Sequence, residues 1–284
     1  MGGKLFKDFS FFSAILTFFI LIGIFSVLFS YAKESMHEFG FDFLYNEVWE
    51  ADEDDIGGIF GGFIPIIGTL LSTLIAMVIA TPLAMGIAIF LTEIASSKLV
   101  APVSVAIELL AAIPSIIYGM WGLFYFAPIV QEYIGGDGVG LLTAGIVLAI
   151  MIIPFMSAIT RDAMNTAPLV LKESAYAMGA TKFEVIKDVV MPYARGGIIG
   201  SIILALGRAL GETMAVAFLI GSVMSIPSKI TDPTTSIPVL LANNFAEAQD
   251  LEMSSMYYLA LILFIVSLVI ISVAKFYFLG KKVA

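Results

Sequence analysis

The chain has no cysteine among its 284 residues and only one histidine, His37. Disulfides, thiolate metal sites and cysteine nucleophiles are therefore excluded. His37 stands in an acidic stretch, which removes histidine metal clusters, Ser–His–Asp arrangements and the H-E-x-x-H zinc motif. No metal site and no catalytic residue is expected. A G-x-x-x-x-G-K-[ST] run is also missing, and the glycines at 57–62 are not followed by lysine. No ATP-cradling loop is expected, so the chain needs an external source of energy for any driven process. Charge is sparse as well. Only 13% of residues are charged, against 60% hydrophobic, and the mean hydropathy is +1.03. A soluble domain does not look like this; an integral membrane protein does, with room for about six helices of ~20 residues.

The apolar runs support that number. The first covers residues 11–32. Ser30-Tyr31-Ala32 is faintly like a signal-peptidase site, but the run is longer than the roughly 7–15 residues of a signal core, so an uncleaved span is expected. An acidic stretch at 33–62 follows, carrying Glu34, Glu38, Asp42, Glu47, Glu50, Asp52, Glu53, Asp54 and Asp55. Gly57-Gly58 and Gly61-Gly62 suggest a flexible re-entry to the membrane. Further spans are expected at 63–91 (with a kink at Pro82), 100–130 (interrupted at Pro114 and Gly119), 141–159, 196–224 and 257–278. A polar loop is expected over 225–256. The fold class is thus all-α, with six transmembrane helices. Residues 1–62 form a tail, first span and acidic loop, and 63–284 form the main transmembrane domain.

Lysine and arginine set the orientation. Six spans put both termini on the same side as the loops at 93–98 and 161–195. That side holds Lys4, Lys7, Lys98, Arg161, Lys172, Lys182, Lys187, Arg195, Lys275, Lys281 and Lys282, eleven of the fourteen basic residues. By the positive-inside rule this side is cytoplasmic.

The loop at 161–195 has its own architecture. Pro168 suits a first helical turn, and Leu171, Ala175 and Met178 recur at helical spacing as one apolar stripe. Gly179 reads as a C-terminal stop. Thr181 and Glu184 then form a T-x-x-E capping box. Phe183, Ile186 and Val190 give the second helix an apolar face, and Pro192 is expected to end it.

Glu173, Ala175 and Gly179, followed by Val189-Val190-Met191-Pro192, resemble the loop shared by permease subunits of binding-protein-dependent ABC importers. Ser174 stands where a second alanine is common, and Val189 to Met191 replace an Ile-x-Leu run. The resemblance implies a six-helix type I (MetI-like) permease bundle in the cytoplasmic membrane of a prokaryote. It also implies that Glu173, Ala175, Ala177, Met178, Gly179, Ala180, Thr181, Phe183 and Pro192 dock a separate ATPase, which binds ATP and Mg. The loop read without that resemblance is an amphipathic hairpin on the headgroups.

Two charges stand inside the fifth span, in Leu-Gly-Arg-Ala-Leu-Gly-Glu-Thr-Met-Ala-Val at 206–216. Arg208 and Glu212 are four apart, on one side of a continuous helix, and ~18 Å from its cytoplasmic start at 1.5 Å per residue. Charges at such depth point to function. A guanidinium fork suits phosphate or another oxyanion, and Glu212 would neutralise it when the pathway is empty. The alternative is an ion pair that only fixes packing. Glu108 divides evenly between pathway and packing roles. Thr213 adjoins the charged pair, and Ser115 lies where Pro114 frees backbone groups that could touch an anion. Trp121, Phe124, Tyr125 and Phe126 read as an interface belt.

The 206–216 run, together with Glu108-Leu109-Leu110-Ala111-Ala112-Ile113-Pro114-Ser115-Ile116-Ile117-Tyr118-Gly119, resembles phosphate-importer permeases of the PstC type. The resemblance spans residues 60–280. It implies phosphate as cargo, a PstA-type second permease, two PstB-type ATPase subunits and a PstS-type extracytoplasmic binding protein. Three alternatives differ in what they explain. An ABC permease for molybdate or sulfate shares the architecture. A secondary transporter or channel predicts broken helices in both halves and leaves the 173–192 loop unexplained. An intramembrane protease is disfavoured by the absence of cysteine, of any intramembrane histidine and of an H-E-x-x-H run.

Overall fold

A computed structural model describes residues 2–50 and 58–279. Asp52 to Asp55, Gly57, Lys281 and Lys282 lie outside the described residues. Twelve α-helices occur among the described residues, with one two-stranded ribbon. Five are long and apolar enough to cross a membrane, and a sixth span arises if the bent pair Ser97–Ala111 and Ser115–Tyr133 is one crossing.

Two compact units are present, residues 1–63 with 241–266, and residues 64–240 with 267–284. The first contains α1 (Gly2–Glu38) and an antiparallel ribbon of β1 (Trp49–Glu50) and β2 (Ile59–Phe60). Phe43 and Phe60 are buried there. Phe43 stacks on Tyr258 at 4.6 Å, and Trp49 meets Phe60 edge-on at 5.1 Å. The expected flexible re-entry is not found at Gly61 and Gly62. Both are buried, and a Cβ at Gly61 would lie 2.1 Å from the Asn46 carbonyl oxygen. Glycine serves close packing at that turn. The Gly62 amide donates to the Phe43 carbonyl at 2.7 Å, so the backbone is tied down.

In the second unit α6 (Leu141–Asn165) is the core. It is apolar nearly all round, and Val147, Leu148, Ala149, Met151, Ile152 and Met156 are buried. Its first amides would be orphans. Gly140, Leu141 and Leu142 donate instead to the carbonyls of Leu219, Asp232 and Ile230 at 2.7, 3.1 and 2.7 Å. This need for acceptors orders the segment at 219–236. The loop expected over 225–256 is further corrected by α11 (Ile237–Asn244) and by α12, which begins at Asp250 and runs to Leu279. Pro82 and Pro154 lie inside α2 (Phe63–Ile89) and α6, neither of which they terminate.

Helix α9 (Met191–Leu210) runs antiparallel to α6. Arg208 faces Phe155, Ser201 shares a 2.7 Å hydrogen bond with Thr160, and Gly197 faces Ala163. A Cβ at Gly197 would sit 2.3 Å from the Ala163 Cβ, so a small residue sets the interaxial distance.

Pro192 does not end its helix. α8 (Lys182–Glu184), a π-helical stretch (Val185–Val190) and α9 are continuous from Lys182 to Leu210. The proline stands at the start of α9 straight after the π stretch. A wider i→i+5 ladder accommodates a residue that has no N–H and crowds the preceding turn.

Candidate functional site

Two spans are broken in the second unit, and their broken ends pack together. The first break separates α3 (Ser97–Ala111) from α4 (Ser115–Trp121), with a 90° bend. Pro114 takes extended geometry at φ −57, ψ 138 and cannot continue the helix. The backbone is not left bare. Tyr118 Oη donates to the Leu110 carbonyl at 2.9 Å, meeting an acceptor of the last turn of α3. Gly119, expected as a second interruption, lies inside α4. It is a contact point: a Cβ there would be 2.9 Å from Phe218 and 3.0 Å from the Ala215 Cα.

The second break corrects the expected continuous span over 196–224. α9 stops at Leu210, Gly211 leaves helical geometry at φ −97, ψ 2, and α10 (Met214–Ala217) begins after Thr213. Local chemistry explains it. Gly207 and Gly211 weaken the helix, and the Glu212 carboxylate accepts from the Ala215 amide at 3.2 Å, capping the next turn. Thr213 Oγ1 donates to the Gly211 carbonyl at 3.2 Å.

Arg208 and Glu212 therefore do not share a continuous helix face, and they form no ion pair. The Arg208 guanidinium lies over the Phe155 ring, 5.4 Å from its centroid, and within Coulombic range of Tyr118. Phe155 is near the middle of the 25-residue α6. That places Arg208 about 15 Å from the C-terminal end of α6 at 1.5 Å per residue. A cation over a ring face is held electrostatically without using its N–H donors. Half-buried Ser115 opens α4.

Glu108 belongs elsewhere. Its carboxylate pairs with Arg161 at 3.1 Å, and Arg161 also contacts Asp162 at 2.9 Å. Arg161, expected in the loop at 161–195, belongs to α6, and the sequence alone assigns no site role to Phe155 or Tyr118. The sequence signals for them are Pro154 beside Phe155 and, for Tyr118, its place in the 108–119 run beside Gly119.

The loop at 161–195 forms a hairpin of α7 (Leu169–Ala177) and α8. Gly179 has φ +90, a left-handed geometry that permits the turn. The capping box is complete: Thr181 N donates to Glu184 Oε2 at 2.6 Å, and Glu184 N to Thr181 Oγ1 at 3.4 Å. The apolar stripe is only partly internal. Ala175, Ile186 and Val190 are buried, whereas Leu171, Met178 and Phe183 are exposed, Met178 by 84% and Phe183 by 69%. Glu173, Ala177, Gly179, Thr181 and Pro192 are also exposed, and Ala180 is half-buried. The hairpin thus offers an apolar tip held by a rigid turn.

Residues 81–284 match the family "Binding-protein-dependent transport system inner membrane component". The chain is 46% identical over 291 residues to the phosphate transport system permease protein PstC of Pasteurella multocida, covering 95% of this chain and 90% of that one. To the protein of the same name from Haemophilus influenzae it is 45% identical over 292 residues, covering 96% and 91%. Its fold is similar to that of a chain of the inward-facing MetNI methionine ABC transporter. The TM-score is 0.62 at 19% identity, over 77% of this chain and 94% of that chain. The chain belongs to the family of inner-membrane components of binding-protein-dependent transport systems.

Proposed function

We propose that this chain is one permease half of an ATP-driven importer that moves inorganic phosphate across the cytoplasmic membrane. Arg208 carries the reading. It is a guanidinium near mid-membrane without a carboxylate partner among the described residues, at the seam of two broken spans. An unpaired cation at that depth is costly unless it serves a pathway, and its fork of donors matches a phosphate oxyanion. Ser115, Thr213 and Glu212 lie on the two breaks, where freed backbone groups and short polar side chains can line a wet route. Glu212 offers repulsion that hastens release of the anion. The likeness to PstC proteins over most of the chain supports phosphate in particular.

The exposed tip of the hairpin, with Met178 and Phe183 outermost, docks a PstB-type ATPase subunit. ATP and Mg belong to that partner. The positive side of the chain, with both termini and the hairpin, faces the cytoplasm. A PstA-type permease completes the pathway, and a PstS-type protein delivers phosphate past the acidic outer loop, whose charge would repel the free anion. The helix from Lys182 to Leu210 has 29 residues, or about 44 Å at 1.5 Å per residue. Displacement at the docking tip therefore reaches Arg208 along one continuous helix.

The test is radiolabelled uptake into proteoliposomes holding the complete transporter and its binding protein. ATP-dependent phosphate uptake that excess sulfate or molybdate does not compete away is expected. Uptake of either competitor in place of phosphate would move the cargo to that anion and keep the permease reading. Uptake driven by an ion gradient without ATP would overturn both.

A further inference from the structure

The proposed docking hairpin is joined covalently to α6 and α9, and it meets α2 through a charge pair set over an apolar bed. α2 continues into a π-helical turn (Phe90–Ile94), and Glu93 in that turn meets Lys172 of α7 at 2.5 Å. The Glu93 side chain is 7% exposed and that of Lys172 is 16% exposed. The adjacent Thr92 hydroxyl donates to the Ala88 carbonyl at 2.9 Å and lies 4.0 Å from the Met164 sulfur at the end of α6. Ala88, Met164, Ala175 and Val185 form the apolar bed beneath.

An ion pair in such a place is a poor way to gain stability. Desolvating both charges offsets most of their attraction, and two apolar side chains of similar volume would serve as well or better. What a charge pair does supply is register, because each partner has one favourable position. Single-turn π bulges also collect at functional joints. At the other end of α2, Thr69 Oγ1 accepts from the Ile237 amide at 2.9 Å, so the helix runs from the hairpin to the loop that precedes α11.

We infer that Glu93 and Lys172 are positioning residues for transport, a strut through which the hairpin moves α2 together with α9 when the ATPase closes. This inference rests on the docking reading. Losing the strut would leave ATP turnover in place while phosphate movement fell behind it.

The experiment uses the complete transporter in proteoliposomes and reads ATP hydrolysed per phosphate imported, normalised to assembled complex. The variants are Glu93→Gln, Lys172→Met, the double variant Glu93→Met with Lys172→Met, and the swap Glu93→Lys with Lys172→Glu. A rise of roughly two- to thirtyfold in ATP per phosphate is expected for the first three, which is the range for residues along a coupling route. The swap is expected to return the ratio toward wild type. Where a single variant fails to assemble, the apolar double variant decides, since it leaves no buried lone charge. An unchanged ratio in that double variant, or uptake and hydrolysis falling together in all of them, would overturn the strut. Phe183→Asp separates the two readings. ATPase binding that survives it removes the docking site, whereas ATPase binding lost only there leaves the strut to be judged on the Glu93 and Lys172 variants.

Discussion

Arg208 and Arg161 are arginines that meet opposite solutions to the same problem. Both are half-buried and both stand on helices of the α6–α9 pair. Arg161 has two carboxylates, Glu108 at 3.1 Å and Asp162 at 2.9 Å. It also lies four residues from the end of α6, beside two carboxylates that are themselves well exposed. Arg208 stands opposite the middle of the same helix and has an aromatic ring in place of a carboxylate. A charge with its counterions already in place is architecture. A deep charge left with unused donors is waiting for something that carries the opposite sign. Burial alone does not separate the two; the partner list and the depth do.

The largest effect expected from this contrast is at Arg208. Arg208→Gln keeps polarity and approximate length but removes the charge and the fork. Phosphate uptake is expected to fall on the order of 100-fold, as when a donor to a transferring oxyanion is lost, with the amount of assembled complex unchanged. Normal uptake in matched membranes would make Arg208 equivalent to Arg161 and end the contrast.

Gly119 is next. Its close approach to α10 is what brings the two breaks together, so Gly119→Val is expected to destabilise by about 1–3 kcal/mol through overpacking. Thermal unfolding in detergent measures this. Gly86 is the control, since a Cβ there meets nothing within 4 Å. In mid-helix, Gly86→Ala is expected to stabilise by up to ~1 kcal/mol. Equal shifts for both would mean that the α4–α10 contact does not set the geometry around Arg208.

Thr181→Ala follows, at about 1 kcal/mol for a lost helix cap. Faster hydrogen exchange at Thr181 and Glu184 measures it, with uptake falling less than for Arg208→Gln.

How much of this was legible in the sequence differs between the hairpin and the site, for a physical reason. The hairpin is set by local rules. A T-x-x-E box and a glycine stop state their own geometry within a few residues, and both are present as expected. The apolar spans were equally plain, five long helices or six with the bent pair taken as one crossing, because hydropathy is additive along the chain. The breaks were not. Arg208 and Glu212 at i,i+4 read as one helix face, yet Glu212 takes the Ala215 amide and the helix stops between them. Whether Gly211 ends a helix depends on α4 packing against the turn beyond it, and that contact is remote in sequence. Pro192 erred the other way, since a π stretch carries the helix through it. The polar loop at 225–256 hid its order for a similar reason. Its carbonyls at 230 and 232 serve the amides of α6, some ninety residues earlier.

The smallest effect belongs to Arg161, and it sharpens the comparison most. Its partner Glu108 is 59% exposed, so removing the arginine strands no buried charge. Exposed pairs contribute roughly 0.2–1 kcal/mol. Arg161→Gln is therefore expected to lower stability by no more than that and to leave uptake within roughly fivefold of wild type even if all of it fell on the transport barrier, since a tenfold change needs about 1.4 kcal/mol. Glu108→Gln should cost no more than Arg161→Gln, because it removes only one of the two carboxylate contacts of the arginine and leaves Asp162 in place. The double variant should then cost no more than Arg161→Gln alone, a non-additivity that contact alone produces. If Glu108→Gln abolished uptake while Arg161→Gln did not, the carboxylate would have a role in the pathway apart from its partner. Glu108 would then stand with Arg208 as a pathway residue, and only Arg161 would remain architecture.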